Sequence, residues 1–323
     1  MIVVTGGAGF IGSCFVAKLN QLGADNLLIV DRLGADDKWR NLVGKRFSDF
    51  VHKDVFLGQL ERGAFDGAIE AIVHIGACSA TTETDADYLM ENNFRYSCVL
   101  GDWCARHKKK LWYASSAATY GDGSLGYSDD DAKTPSYRPM NMYGYSKHLF
   151  DLWVLRRGLH TSFTGFKYFN VFGPNEYHKG SMRSVITKAF PVARDEGVIR
   201  LFESYKAAYP HGGQQRDFIY IKDVLEVMAW SFQHPDVSGI FNLGTGSARS
   251  WNDVGNALFA ALGTKGRIEY IPMPGQLRGQ YQYFTEADMA KLRRAGCTHQ
   301  FMPLEAAVAD YVRSYLMQAN PYY

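Results

Sequence analysis

The sequence has little net charge, no cysteine pairing pattern, no long apolar run and no metal-binding spacing, and each absence removes a class of function. Thirty-five lysines and arginines stand against 33 aspartates and glutamates, a formal net charge of +2, so no global field favours nucleic acid or an anionic membrane. The one basic run, Arg106 to Lys110, reads as solvated cations at a helix C-terminus, where the helix dipole favours them. The 5 cysteines (Cys14, Cys78, Cys98, Cys104 and Cys297) are odd in number, scattered and never in a CxxC spacing, which points to a reducing compartment. No apolar stretch approaches a membrane span, and the first residues run into a strand without a basic leader. The expected location is the cytoplasm, with neither nucleic acid nor membrane as partner. The 9 histidines show no HxxxH with a supporting carboxylate, so no metal is expected. There is no internal repeat and no low-complexity tract, only a polar, glycine-containing loop from Ser204 to Gln215.

What is present is enough apolar residue, 46%, to fill a core in a chain of 323 residues. Short β-rich runs alternate with helical patterns through the first half: IVVTG, a helix from about Ile11 to Leu22, NLLIVD, then AIVHIGA, LWYASS and FTGFKYFN. Alternation of this kind predicts an α/β fold with a doubly wound parallel sheet, its strands continuously apolar because helices cover both faces. After about Asn170 the alternation loosens, which predicts a smaller C-terminal substrate lobe. GIFNLGTG, around 240–246, reads as another buried strand. The expected division is a dinucleotide-binding domain over 1–170, rejoined around 217–245, with 171–216 and 246–323 forming the lobe.

TGGAGFIG places Gly6, Gly9 and Gly12 directly after a strand and at the start of a helix, the Rossmann-type dinucleotide fingerprint. Gly6 permits the tight turn, Gly9 lets the backbone approach the pyrophosphate, and Gly12 lets helix and strand pack closely; the helix N-terminus then faces the phosphates. Ile11, Phe15, Leu19 and Leu22 recur at helical spacing and support the helix without carrying chemistry. Asp31 ends the second strand, where an acidic group meets the adenosine ribose hydroxyls, and alone it indicates NAD. Arg32 and Lys38, however, are two cations placed where a ribose 2′-phosphate needs neutralising, so NADP is the preferred cofactor. Ordinary loop charges are the other reading of that pair.

Tyr143 and Lys147 form a Y-x-x-x-K unit, which puts phenol and ammonium on one helical face. A free phenol titrates near 10, and a fixed cation beside it, with the positive nicotinamide ring, moves it toward useful acid/base range. Ser116, in YASSAATYG at a strand end, can hydrogen-bond the same substrate oxygen. A chance YxxxK is common, but its combination with the glycine fingerprint and this serine is not.

These residues together resemble the extended short-chain dehydrogenase/reductase family, over essentially the whole chain. HIGACSATT from His74, YASSAATYG from Tyr113, KYFNVFGP from Lys167, HKGSM from His178, RDFIYIKDV from Arg216 and GQYQYFTEAD from Gly279 narrow the resemblance. Within the family they are similar to the branch that inverts the exocyclic C6 of an ADP-heptose. The resemblance implies catalytic roles for Tyr143, Lys147 and Ser116 and a second base at Lys179. It implies cofactor contacts at Phe10, Ile11, Asp31, Lys38, Lys53, Gly76, Ala77, Cys78, Ser79, Asn92, Val171 and Lys179, besides Tyr143 and Lys147. Substrate contacts carry over to Asn170, Ser181, Phe202, Glu203, Arg216 and Tyr281. It also implies an ADP-sugar substrate, a homo-oligomer such as a pentamer, and a product that supplies heptose to lipopolysaccharide. The chain departs from the family in three places: Arg32 replaces an asparagine, Lys188 replaces a histidine at a substrate position, and the loop between Phe202 and Arg216 is longer and lacks the FEGS sequence.

Inversion at a secondary alcohol by oxidation and re-reduction needs hydride to leave one face and return to the other. For an exocyclic carbon, rotation about the adjoining bond presents the second face and swings the oxygen elsewhere. A second acid/base then becomes useful, and Lys179 is the candidate; the plainer reading is a diphosphate contact. Dehydration would need a further acid and base near Ser116, where the chain has Ala117 and Ala118. The competing classes are a ring-carbon 4-epimerase of UDP-sugars and a protein that binds NADP without turnover, which would not need Tyr143, Lys147 and Ser116 together.

Overall fold

Val3 and Val4 are neighbours in the chain and both fully buried, so the strand that carries them must be covered on both faces. The structure, a computed structural model, describes residues 1–278 and 281–323. Its first half contains β1 (Ile2–Thr5), α1 (Phe10–Gln21), β2 (Leu27–Asp31), β3 (Asp49–His52), α2 (Lys53–Glu61), β4 (Ala71–His74), α3 (Ala86–Leu89), α4 (Tyr96–His107), β5 (Lys110–Ser116), α5 (Met142–Arg156) and β6 (Thr164–Tyr168). There follow β7 (Asn170–Phe172), α6 (Val185–Glu196), β8 (Val198–Phe202), β9 (Gln215–Tyr220), α7 (Ile221–Gln233), β10 (Gly239–Leu243), β11 (Ala248–Ser250), α8 (Trp251–Leu262) and β12 (Arg267–Ile271).

Seven strands form one sheet in the order β10-β6-β5-β4-β1-β2-β3, every neighbouring pair parallel. The order reverses between β1 and β4, and in open α/β sheets ligands bind at the carboxyl ends of the strands beside such a switch. One face buries Val4, Ile29, Val73, Trp112, Phe166 and Phe241; the other buries Val3, Leu28, Val30, Ile72, Leu111 and Ile240. Each such side chain contributes about 1.5–3 kcal/mol by leaving water. The expected doubly wound parallel sheet is therefore the one found. The first helix begins at Phe10 and ends at Gln21, leaving Leu22 as its cap, 42% exposed, rather than as part of its buried stripe.

The smaller lobe has a three-stranded sheet, β11-β9-β7, and a parallel pair, β12-β8. The return to the main sheet differs from the 217–245 read from the sequence. β9 pairs with β7 and β11 in the lobe, so the returning segment is α7, which packs on α1, followed by β10 beside β6. The basic run also divides. Arg106 and Lys108 are exposed at the end of α4, whereas Lys110 opens β5, donates to the Val237 carbonyl (2.9 Å) and Ser238 Oγ (2.7 Å), and is pushed down to about 8 by burial. Among the described residues no helix is long and apolar enough to cross a membrane, and the five cysteines are free.

Candidate active site

A cleft of about 580 Å³ opens at the switch point, between the carboxyl ends of the strands and the lobe. Gly6, Gly9, Phe10, Ile11 and Gly12 form one wall, with Asp31, Lys38, Gly76, Ala77 and Ser79 beside them. An adjoining recess of about 400 Å³ adds Arg32, Lys53, Cys78 and Asn92. The structure thus brings the whole expected cofactor set to one region. A Cβ on Gly12 would sit 2.1 Å from the Gly6 carbonyl oxygen, so only glycine lets the turn fold onto α1. Gly9 caps α1 without a side-chain hydrogen bond, which leaves the helix N-terminus open to an anion. The cradle fits a dinucleotide pyrophosphate.

At the end of β2 the Asp31 carboxylate accepts from Ala8 N (2.9 Å), Arg32 N (2.7 Å) and Lys38 Nζ (2.6 Å). It both pins the glycine turn and has its charge offset by Lys38, while the Arg32 side chain is exposed beside it. Asn92 lies on the wide Met90–Arg95 turn that joins α3 to α4, and Lys53 pairs with Asp54 at 2.7 Å.

Ser116, Tyr143 and Lys147 line the opposite wall. Asn141 caps α5 by accepting from Gly144 N at 2.8 Å, which fixes where the helix begins and so where Tyr143 stands. Gly144 permits the approach: a Cβ there would lie 2.6 Å from the Ala118 carbonyl oxygen, in the turn that follows Ser116. Lys147 is buried, donates to the Ala114 carbonyl (2.9 Å), and is pushed down to about 8 by burial, with Asp151 opposing. The protein alone does not lower the phenol as expected. Burial raises Tyr143, and the Ser116 hydroxyl beside it acts in the opposite sense.

Lys179 reaches the same cleft from the turn Tyr177–Met182, and its ammonium lies 5.6 Å from the centroid of the Phe10 ring. Burial lowers it, and Glu176 opposes. The Glu176 carboxylate holds this segment by accepting from Ser184 N (2.6 Å), Ser184 Oγ (2.6 Å) and Thr187 Oγ1 (2.5 Å). Asn170, Val171, Ser181 and Lys188 complete this side, and Lys188 donates to the Ser181 carbonyl at 3.3 Å. His178 is pushed down to about 4 and His74 to about 3, mainly by burial, so both are neutral near pH 7. His74 links Thr5 Oγ1 (2.6 Å) to Ser97 Oγ (2.8 Å), a packing role. Among the described residues no three His, Cys, Asp or Glu side chains are grouped to hold a metal.

Phe202, Glu203, Arg216 and Tyr281 are outside this lining and lie further into the lobe. Arg216 is 7% exposed, its guanidinium sits 5.0 Å from the Tyr281 ring centroid, and among the described residues it donates to the neighbouring Gln215 carbonyl. Trp251 Nε1 donates to Tyr281 Oη at 2.8 Å, and Trp251 also lines the cleft, so this group adjoins it. Trp251 had no motif to mark it and is brought in only by the fold of the lobe; Phe218 and Gln282 also line the cleft and fall inside family-like segments, but were not singled out there. Gly279 and Gln280, which open the last family-like segment, lie outside the described residues.

The chain belongs to the NAD dependent epimerase/dehydratase family, whose model matches residues 2–244. Within that class it is 56% identical, over 322 residues and 100% of both chains, to the ADP-L-glycero-D-manno-heptose-6-epimerase of Nitratidesulfovibrio vulgaris. It matches the crystal structure of the Helicobacter pylori ADP-L-glycero-D-manno-heptose-6-epimerase with a TM-score of 0.80 at 25% identity, over 97% of this chain and 95% of that one. A UDP-N-acetylglucosamine 4-epimerase from Methanobrevibacter ruminantium gives 0.81 at 22% identity, over 97% and 96%, a likeness of fold.

Proposed function

We propose that this protein inverts C6″ of ADP-D-glycero-D-manno-heptose, giving the L-glycero epimer through a transient 6″-keto intermediate, with NADP retained throughout. The observation that carries the reading is one cleft lined by Ser116, Tyr143 and Lys147 on one wall and by Lys179 on another. The likeness to heptose 6-epimerases over the full chain supports the same substrate. A bound nicotinamide would supply the hydride chemistry at this carbon, and the positive charge of its oxidised ring would favour ionisation of the Tyr143 phenol, which the protein alone raises. Tyr143 then holds the proton of one epimer's hydroxyl, with Ser116 hydrogen-bonded to the same oxygen. Once the keto carbon has turned about the C5–C6 bond, its oxygen faces Lys179, which donates the proton that completes the other epimer. Burial suits Lys179 to this work, because a lowered ammonium gives up its proton more readily.

The ADP group is assigned to the lobe, where Arg216 is a buried cation with no carboxylate partner among the described residues and Tyr281 offers a ring; Phe202 and Glu203 belong to this subsite, and Asn170, Ser181 and Lys188 to the sugar side. NADP follows from Asp31, whose charge would repel a 2′-phosphate were Lys38 not bonded to it at 2.6 Å, and from the exposed Arg32 next to it. Changing Arg32 and Lys38 together to Ala should weaken NADP by about tenfold or more, the worth of a charge-assisted contact, and leave NAD little changed. Equal losses in a titration of both cofactors remove the case for NADP. A cytoplasmic homo-oligomer is part of this reading.

The test is incubation with ADP-heptose deuterated at C6″ and, separately, with UDP-galactose, followed by stereochemical analysis. Inversion of the heptose alone, with deuterium kept in ordinary water, is expected. Turnover of UDP-galactose instead makes the protein a 4-epimerase, and deuterium wash-out replaces the keto scheme by proton abstraction.

A further inference from the structure

Beneath the catalytic wall lies an ion pair that the proposed chemistry does not use. Lys167 on β6 and Asp151 on α5 are both 0% exposed, with Nζ and Oδ2 2.6 Å apart. The same Asp151 oxygen accepts from Ser115 Oγ at 2.7 Å, and its other oxygen accepts from Tyr113 Oη at 3.2 Å. Lys167 donates further to Thr119 Oγ1 at 2.8 Å and stands 5.1 Å from the Tyr120 ring centroid. Thr119 in turn donates to the carbonyl of Ser116 at 2.8 Å. Every contact of the pair therefore ends on an element that carries a proposed catalytic group: β5 and its following turn carry Ser116, and α5 carries Tyr143 and Lys147.

The spacing along α5 adds a second property. Tyr143, Lys147 and Asp151 follow at i, i+4 and i+8, a single face of the helix. A buried ion pair is weak evidence for stability, since well-packed apolar residues of similar volume often serve as well. We propose that Asp151 and Lys167 are positioning residues for the Ser116, Tyr143 and Lys147 group: the pair fixes β5 against α5 and keeps an anion one helical turn from the Lys147 ammonium. The inference rests on the catalytic reading given above.

The charged and titratable groups that face Lys147 come from three elements: Tyr143 and Asp151 on its own helix, His74 on β4, and Cys78 in the loop after β4; Ala114 on β5 adds a carbonyl. His74 stays neutral, so Asp151 is the carboxylate that holds the ammonium against the burial that lowers it to about 8. Loss of Asp151 should therefore deprotonate Lys147 at lower pH and cut activity on the alkaline side first.

The experiment measures kcat and KM against pH for Asp151→Asn and for Asp151→Asn/Lys167→Met, with thermal unfolding as the control and Tyr143→Phe alongside. The double variant leaves no unpaired buried charge, so it keeps the measurement possible where the single variant fails to fold. A folded double variant whose alkaline limb moves about one unit toward acid, with kcat reduced and KM unchanged, is the expected result. A Lys167→Arg variant, which keeps the charge pair, should retain the native limb. If Tyr143→Phe is inactive while the double variant keeps the native limb and kcat, the pair is only structural and the inference is overturned alone. A fully active Tyr143→Phe overturns the catalytic reading and the inference with it.

Discussion

The two walls of the cleft hold their amines in different ways. Lys147 belongs to a 15-residue helix whose start is capped by Asn141 and whose underside is bonded to β5 and β6 through Asp151 and Lys167. Lys179 belongs to a six-residue turn, kinked at Gly180, that hangs from the Glu176 carboxylate and from the Asn41 amide shared with His178. The first wall presents a phenol, an ammonium and a hydroxyl in one fixed arrangement. The second presents the Lys179 ammonium on a short tether, over the Phe10 ring. A reaction whose substrate carbon must be met from two sides can use this asymmetry, with one rigid side setting the geometry and the other following the oxygen after it turns.

The comparison is broken most strongly by removing either of the two groups proposed to transfer the proton. Tyr143→Phe and Lys179→Met should each reduce kcat by roughly 10²–10⁴-fold in steady-state assays on both epimers, with unfolding temperatures little changed. A Lys179→Met enzyme with a raised KM and near-normal kcat would show that Lys179 holds a diphosphate, leaving Tyr143 as the single base. Moving the rigid wall without deleting its groups should come next. Gly144→Ala forces α5 away from the Ala118 carbonyl, and a displacement near 1 Å costs on the order of 10²-fold; unaltered kcat would mean that the wall tolerates slack.

Acidity separates the walls at a smaller scale. With Lys147 at about 8, kcat should fall as pH rises through 8, gently at first and then approaching tenfold per unit, and Lys147→Arg should lack that limb because guanidinium stays charged. Stability runs the other way. Lys147 is lowered in the folded state, so the unfolded chain binds the extra proton between about 8 and the ordinary lysine value, and this group's burial penalty is relieved as pH rises through that window. Unfolding temperature against pH, for the native protein and Lys147→Met, reads that contribution. The smallest effect expected is that of Ser116→Ala, which removes one hydrogen bond and should cost about tenfold in kcat or less.

The rigid wall and the glycine turn opposite it were also the legible parts. Gly12 and the strand before it are separated by a few residues, as are Tyr143 and Lys147, so local spacing and backbone geometry specify them. Ser116 could be read because it ends an apolar run. The lobe is different. β9 looks like the start of the return to the main sheet, yet it pairs with Asn170–Phe172 and Ala248–Ser250, partners that no local pattern reveals. Trp251 reaches the cleft only because α8 packs beside that sheet. Lys167 was visible only as part of a family segment; that it is buried against Asp151 depends on the register of β6 with β5 and on the face of α5, both tertiary facts. The Tyr143 phenol shows the same limit, since its rise comes from burial that a YxxxK spacing does not encode.

The path of the chain through the two parts has one more consequence. β10, an edge of the seven-stranded sheet, is added only after the chain has left β6, built β7, β8 and β9 in the lobe and come back; β11, α8 and β12 of the lobe follow it. The lobe is therefore built from two stretches of chain, one on each side of α7 and β10, not from one appended segment. Ending the chain at 170 would strip α7 from α1 and leave β6 as a bare edge, open to pairing with another molecule. Cutting once within 204–215 would leave two pieces that still share one sheet, held together noncovalently like halves of a zipped case.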